Sequence, residues 1–197
     1  MKKNLRFVIV ATSCLLLIAN IALAESADNM FSQGFEKHLK GDLSGAVKLY
    51  SRAIDDNPAF AMAFQMRAIA QQQLKKYRQA INDYSMAITI GEPSFKAVSY
   101  YNRGIVKNIT GDFVGAIPDF SQAIDLDKKM GVAFFHRGIA KSKTGDMEGQ
   151  LDDFRRAAQL GDLNAEKMLD KYYPNWKQIP VAAPDTQKTA GLKSGNK

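Results

Sequence analysis

The sequence of 197 residues has one cysteine, Cys14, and two histidines, His38 and His136. A single thiol closes no disulfide and builds no cysteine metal site, so stability must come from packing. No glycine-rich phosphate loop and no strand-turn-helix nucleophile elbow can be found. The adjacent carboxylates Asp55-Asp56 and Asp152-Asp153 diverge by about 100° on a helix and do not converge as an acid/base pair. The two histidines fall in separate copies of the repeat described below and are expected as exposed helix residues. These absences exclude the common routes to catalysis: no enzyme, no cofactor and no metal is expected.

A basic fold is also missing. The formal net charge is +7, but residues 1–24 contribute +3 through Lys2, Lys3 and Arg6. Residues 174–197 contribute another +3, from four lysines against Asp185, so only +1 is left for residues 25–173. A nucleic-acid module needs its cations on the fold, where phosphates meet them, and no nucleic-acid partner is expected.

What the sequence does contain begins with a positive start and an apolar run from Phe7 to Leu17. The run closes at Ala22-Leu23-Ala24, a small-x-small site before Glu25. This is the layout of an export signal cleaved after Ala24, with a short bacterial-type positive region, and it places the mature chain in the periplasm. The alternative is an uncleaved anchor, since Phe7–Ala24 is close to spanning length. Membrane contact is expected only in that case. Cys14 sits inside the run rather than at its end and does not fit a lipid-attachment site.

The remainder is periodic. Gly41-Asp42, Gly111-Asp112 and Gly145-Asp146 are spaced by 70 and 34 residues, and Lys75-Lys76 fills the gap 34 after the first. Ala53, Ala87, Ala123 and Ala157 form a second column, and Tyr50, Tyr84, Phe120 and Phe154 a third. Four copies follow, at about 27–60, 61–94, 97–130 and 131–164, with two extra residues near Ser94–Lys96. Each copy predicts two helices. The glycine closes the first in a left-handed conformation and the aspartate caps the second. Small residues at Gly34, Ala68, Gly104 and Gly138 let the pair pack closely. Residues 164–173 place apolar side chains at helical spacing and predict a helix capping the last repeat, ended by Pro174. Residues 174–197 are assigned to a basic, disordered tail, because their proline, lysine and small residues bury too little to order themselves.

The period, the glycine/alanine columns, the aromatic column and Pro58 resemble the tetratricopeptide repeat family over residues 27–164. Departures are Lys37, Gln71, Lys107 and Lys141 at the usual tyrosine position, Gln150 in the alanine column, and Pro118 one to two turns inside a helix. A proline there costs about 3 kcal/mol unless the helix start absorbs it. The resemblance implies an all-α, right-handed superhelix of four helix-turn-helix repeats with a concave groove. By register it also implies which first-helix positions face that groove. The second gives Asp28, Met62, Val98 and Val132, the fifth Phe31, Gln65, Tyr101 and Phe135. The ninth gives Phe35, Ile69, Ile105 and Ile139, the twelfth His38, Gln72, Asn108 and Ser142. The candidate partner-binding set is Phe31, Phe35, Met62, Gln65, Ile69, Tyr101, Ile105, Asn108, Phe135 and Ile139. No lysine or arginine stands at the fifth or ninth position, so a clamp for acidic chain ends is not expected. An apolar or amphipathic peptide segment suits the stripe better. The competing reading is that the same residues pack against the neighbouring repeat.

A charge correlation runs through the copies. Arg67, Arg103 and Arg137 share one register position and Asp83, Asp119 and Asp153 another, while copy one has Gln33 and Leu49 there. Joint loss in one copy predicts that each arginine pairs with the aspartate of its own repeat.

The function expected is a non-enzymatic protein–protein interaction scaffold or adaptor of the bacterial envelope, with a protein or peptide partner. The alternatives are a membrane-tethered structural protein and a periplasmic chaperone for a hydrophobic client. Self-association through the terminal repeats is open.

Overall fold

The structure, a computed structural model, describes residues 26–178. The export signal and residues 179–197 of the tail lie outside the described residues. Among the described residues there are nine α-helices and no strand. The expected all-α fold of tetratricopeptide-type helix pairs stands. The chain divides into two compact units that meet in sequence at Ile90 and Gly91.

The first unit holds α1 (Ala27–Leu39), α2 (Leu43–Asp56), α3 (Ala61–Gln73) and α4 (Tyr77–Ile90). The second holds α5 (Pro93–Ile109), α6 (Phe113–Leu126), α7 (Gly131–Lys143), α8 (Met147–Gln159) and α9 (Leu163–Tyr172), followed by a 3-10 turn at Trp176–Gln178. The extra residues before the third copy do not form a loop. They lengthen α5 to 17 residues, with Pro93 in its first turn, where a missing N–H costs nothing. Pro118 lies inside α6 on its solvent side, and the helix runs through it.

The junctions follow the expected chemistry. Gly41, Gly111 and Gly145 have φ of 80°, 83° and 89°. Asp42, Asp112 and Asp146 accept from the backbone N–H of Gly45, Gly115 and Gly149 at 2.9, 2.9 and 2.8 Å. A fourth instance joins the last repeat to its cap. Gly161 has φ 88°, and Asp162 accepts from Asn164 and Ala165 at 3.0 Å each. Asp56 has a use that its place at the end of α2 conceals. Its carboxylate accepts from the Ala27 N–H at 2.9 Å and so caps α1 across the pair.

The core is a row of columns. Ala46, Tyr50 and Ala53 in α2, Ala80, Tyr84 and Ala87 in α4, and Ala116, Phe120 and Ala123 in α6 are all completely buried. Close approach is the reason for the small residues opposite them: a Cβ on Gly104 would lie 2.8 Å from the Phe120 ring. Residues 174–178, grouped with the tail on composition, are in part built into the second unit. Trp176 Nε1 donates to Asp170 at 2.8 Å, and the indole gives the turn a polar anchor that a count of prolines and lysines overlooks.

Candidate functional site

The first helices carry both the internal braces and the candidate binding residues. In α3, Arg67 donates from Nε and Nη2 to the two oxygens of Asp83 at 2.7 and 2.8 Å. In the second unit Arg103 holds Asp119 at 3.0 and 2.7 Å, and Arg137 holds Asp153 at 2.9 and 2.7 Å. The predicted pairing is therefore present in all three copies, each time as a two-pronged fork that fixes the orientation of both side chains. Each guanidinium also lies over the ring three residues earlier, Phe64, Tyr100 or Phe134, at 5.4–5.5 Å. The lysines that replace the family's tyrosine complete the brace. Lys107 reaches Asp119 at 2.8 Å and Lys141 reaches Asp153 at 3.0 Å. In copy one, which lacks the aspartate, Lys37 turns to the cap residue Asp42 at 3.0 Å.

In the first unit, Phe35 and Met62 are 42% and 46% exposed, whereas Gln65 is buried. Phe31 is half-buried, with its ring centroid 5.5 Å from Tyr50 and 5.0 Å from Phe60, and Ile69 is half-buried as well. His38 is half-buried rather than exposed. Its Nε2 lies 3.0 Å from Gln73 Oε1, while its Nδ1 is buried without a hydrogen-bond partner among the described residues. Tyr84 donates its hydroxyl to Gln72 at 3.1 Å, but the register-equivalent Tyr50 hydroxyl finds no acceptor. Burial alone pushes the Tyr50 phenol up to about 12.

In the second unit the aromatic residues of the candidate set turn toward other rings. Tyr101 packs on Phe120 at 6.0 Å and edge-on to His136 at 5.8 Å, and Phe135 stacks on Phe154 at 5.3 Å. Ile105 packs with Ala116, Phe120 and Ala140. Ile139 is half-buried. Asn108 donates to the His136 carbonyl at 3.3 Å, which leaves its own carbonyl oxygen buried and unpartnered. His136 is half-buried among Tyr101, Phe120 and Phe135, contrary to the expectation of an exposed residue. Burial lowers its pKa below 6.5, partly offset by the negative charge of Asp162.

The two units thus bring the candidate residues onto first-helix faces but do not make them equally accessible. Phe35 and Met62 face solvent, and seven others are half-buried. Two residues outside the candidate set, Val98 and Val132, are 43% and 45% exposed and share the second register position with Met62. That repetition was readable from the column alone. Among the described residues no group of three or more histidines, cysteines or carboxylates could hold a metal, and no helix is long and apolar enough to cross a membrane.

No family model matches the chain. Small glutamine-rich tetratricopeptide repeat-containing protein 2 of Saccharomyces cerevisiae is 29% identical over 101 residues, which is 51% of this chain and 29% of that protein. Hsc70-interacting protein 1 of Drosophila melanogaster is 31% identical over 103 residues, 52% of this chain and 27% of its own length. Human serine/threonine-protein phosphatase 5 is 28% identical over 109 residues, 53% of this chain but 21% of the phosphatase. The matched region is therefore under a third of each of these relatives. Among solved structures, a crystal structure of MamA superimposes with a TM-score of 0.66 at 20% identity, covering 77% of this chain and 84% of that one. Helix pairs of this geometry, without a catalytic cluster, define a helical-repeat protein of the interaction-scaffold class. Sequence and fold together make the chain a tetratricopeptide-repeat protein.

Proposed function

We propose that the chain is a non-enzymatic scaffold or adaptor of the bacterial envelope that holds an apolar or amphipathic segment of a protein partner along the inner strip of its first helices. The observation that carries this reading is the repeated exposure of large apolar side chains at one register position. Met62, Val98 and Val132 are each 43–46% exposed, with Phe35 exposed beside them on α1. An apolar residue left in water at the same place in successive repeats costs stability each time, at about 25 cal/mol per Å². A partner that covers the strip recovers that cost. The envelope location rests on the signal-like residues 1–24 and is tested by sequencing the mature amino terminus, which is Glu25 if cleavage follows Ala24.

The binding surface is tested by site-specific photo-crosslinking in the native host. A crosslinker at position 62 or 132 captures one discrete partner, and a crosslinker at Lys48 or Gln122 on the second helices does not. Equal capture from both sets overturns the inner-strip reading. Tyr101 and Phe135 are poor probes, because truncating either opens the packing on Phe120 or Phe154.

A further inference from the structure

The last repeat is sealed less well than the one before it. In the third copy, α6 presents Ala116 and Phe120, and the C-terminal half of α7 closes over them with Ala140, all three completely buried. In the fourth copy the register-equivalent residues of α8 are Gln150 and Phe154. The helix that should cover them, α9, is 10 residues long against 13 for α7, and it stops before Pro174. A cavity of about 430 Å³ results, with Gln150 and Phe154 in its wall and Met147, Met168 and Tyr172 around them. Met147 and Tyr172 are each 57% exposed, which is costly for side chains of this size unless something covers them.

The fold itself shows what the seat takes: the C-terminal half of a first-type helix, as α7 provides one repeat earlier. The chain carries one more helix of that type with an uncovered apolar end. The last turns of α1 hold Phe35 and Leu39, four residues apart on one face and 42% and 73% exposed. The cavity is wider than the seat of Ala140 and suits a phenylalanine and a leucine rather than an alanine. The geometry points to a head-to-tail contact between copies, in which the Phe35–Leu39 turn of one chain fills the cavity formed by α8 and α9 of the next. Because the donor and acceptor patches differ, the contact is heterologous and extends into rings or filaments rather than closing as a two-fold dimer. It uses neither Met62 nor Val132 and is independent of the partner strip.

The test is sedimentation velocity on the protein as isolated, over a concentration series, with two variants whose changes fall on exposed side chains. The donor variant is Phe35→Ser/Leu39→Ser and the acceptor variant is Met147→Glu/Tyr172→Glu, each checked for an unchanged helical signal. Wild type is expected to grow in average mass with concentration, and each variant alone is expected to associate at least roughly tenfold more weakly. An equimolar mixture is expected to form one-to-one dimers, because the donor variant keeps an intact cavity and the acceptor variant keeps an intact α1. A wild type that stays monomeric, a variant that assembles like wild type, or a mixture that remains monomeric overturns the proposal. Self-association that survives both variants but is lost on removing residues 179–197 assigns the cavity to the chain's own tail and overturns it equally.

Discussion

Asp83 receives both arms of the Arg67 guanidinium, 2.7 Å from Nε and 2.8 Å from Nη2, with only 8% of the carboxylate side chain exposed. Removing one member leaves the other partly buried and unpaired, which is worse than removing both. Asp83→Ala should therefore cost about 3 kcal/mol. The double variant Arg67→Gln/Asp83→Leu, which copies the natural Gln33 and Leu49 of the first repeat, should cost clearly less than the sum of its single changes. Denaturant unfolding of the four forms measures the coupling, and strictly additive losses would show that the fork contributes nothing.

Lys75 stands where the other repeats have glycine, with φ 59°. A side chain in the left-handed region costs about 1–2 kcal/mol, mostly relieved by glycine. Lys75→Gly should stabilise the first unit by about 1 kcal/mol despite the greater entropy of the unfolded chain, whereas Gly111→Ala should destabilise the second by a similar amount. Both are read from urea midpoints.

The imidazole of His136 is held neutral by burial, so its folded pKa lies below 6.5. Above 6.5 neither state is protonated and the residue has no effect. As pH falls below 6.5 the unfolded chain takes up a proton that the folded chain resists, and stability drops until the lowered folded pKa is passed. His136→Gln should flatten this part of the pH dependence of Tm. Asp162→Asn, which removes the charge that partly offsets burial, should move the His136 titration to still lower pH in an NMR experiment.

Asp162 also caps α9 through two N–H groups. Asp162→Ala should cost about 1 kcal/mol and fray α9 first, since a helix of 10 residues has little stability of its own. Hydrogen exchange at Ala165 and Glu166 should accelerate while exchange in α6 stays unchanged.

The fold was legible because its determinants are local and repeated: a left-handed glycine, an aspartate cap, and columns of small and aromatic residues in register. The fork between Arg103 and Asp119 was legible too, because the first repeat loses both members together and so acts as an internal control. Accessibility was harder to read. Tyr101 and Met62 are equally apolar on paper, yet one packs on Phe120 and His136 while the other faces solvent. Both faces of a first helix are apolar, one for stacking and one for a partner, and periodicity does not distinguish them. The burial of His38 and His136 escaped notice for the same reason. The open seat beside α8 did leave a trace, in Gln150 within an alanine column and Pro174 soon after Tyr172, but its size depends on how far α9 reaches.

Arg67 and Arg137 do more than brace their own repeats. Through Nη1 each also donates to a serine of the preceding repeat, Ser51 at 2.9 Å and Ser121 at 3.0 Å. One guanidinium is thus a rivet through three helices, and peeling away the later repeat strips a bond from the earlier one as well. A solenoid whose joints are shared in this way should not shed its repeats singly: α2 should exchange its amides in step with α3 and α4, and α6 in step with α7 and α8.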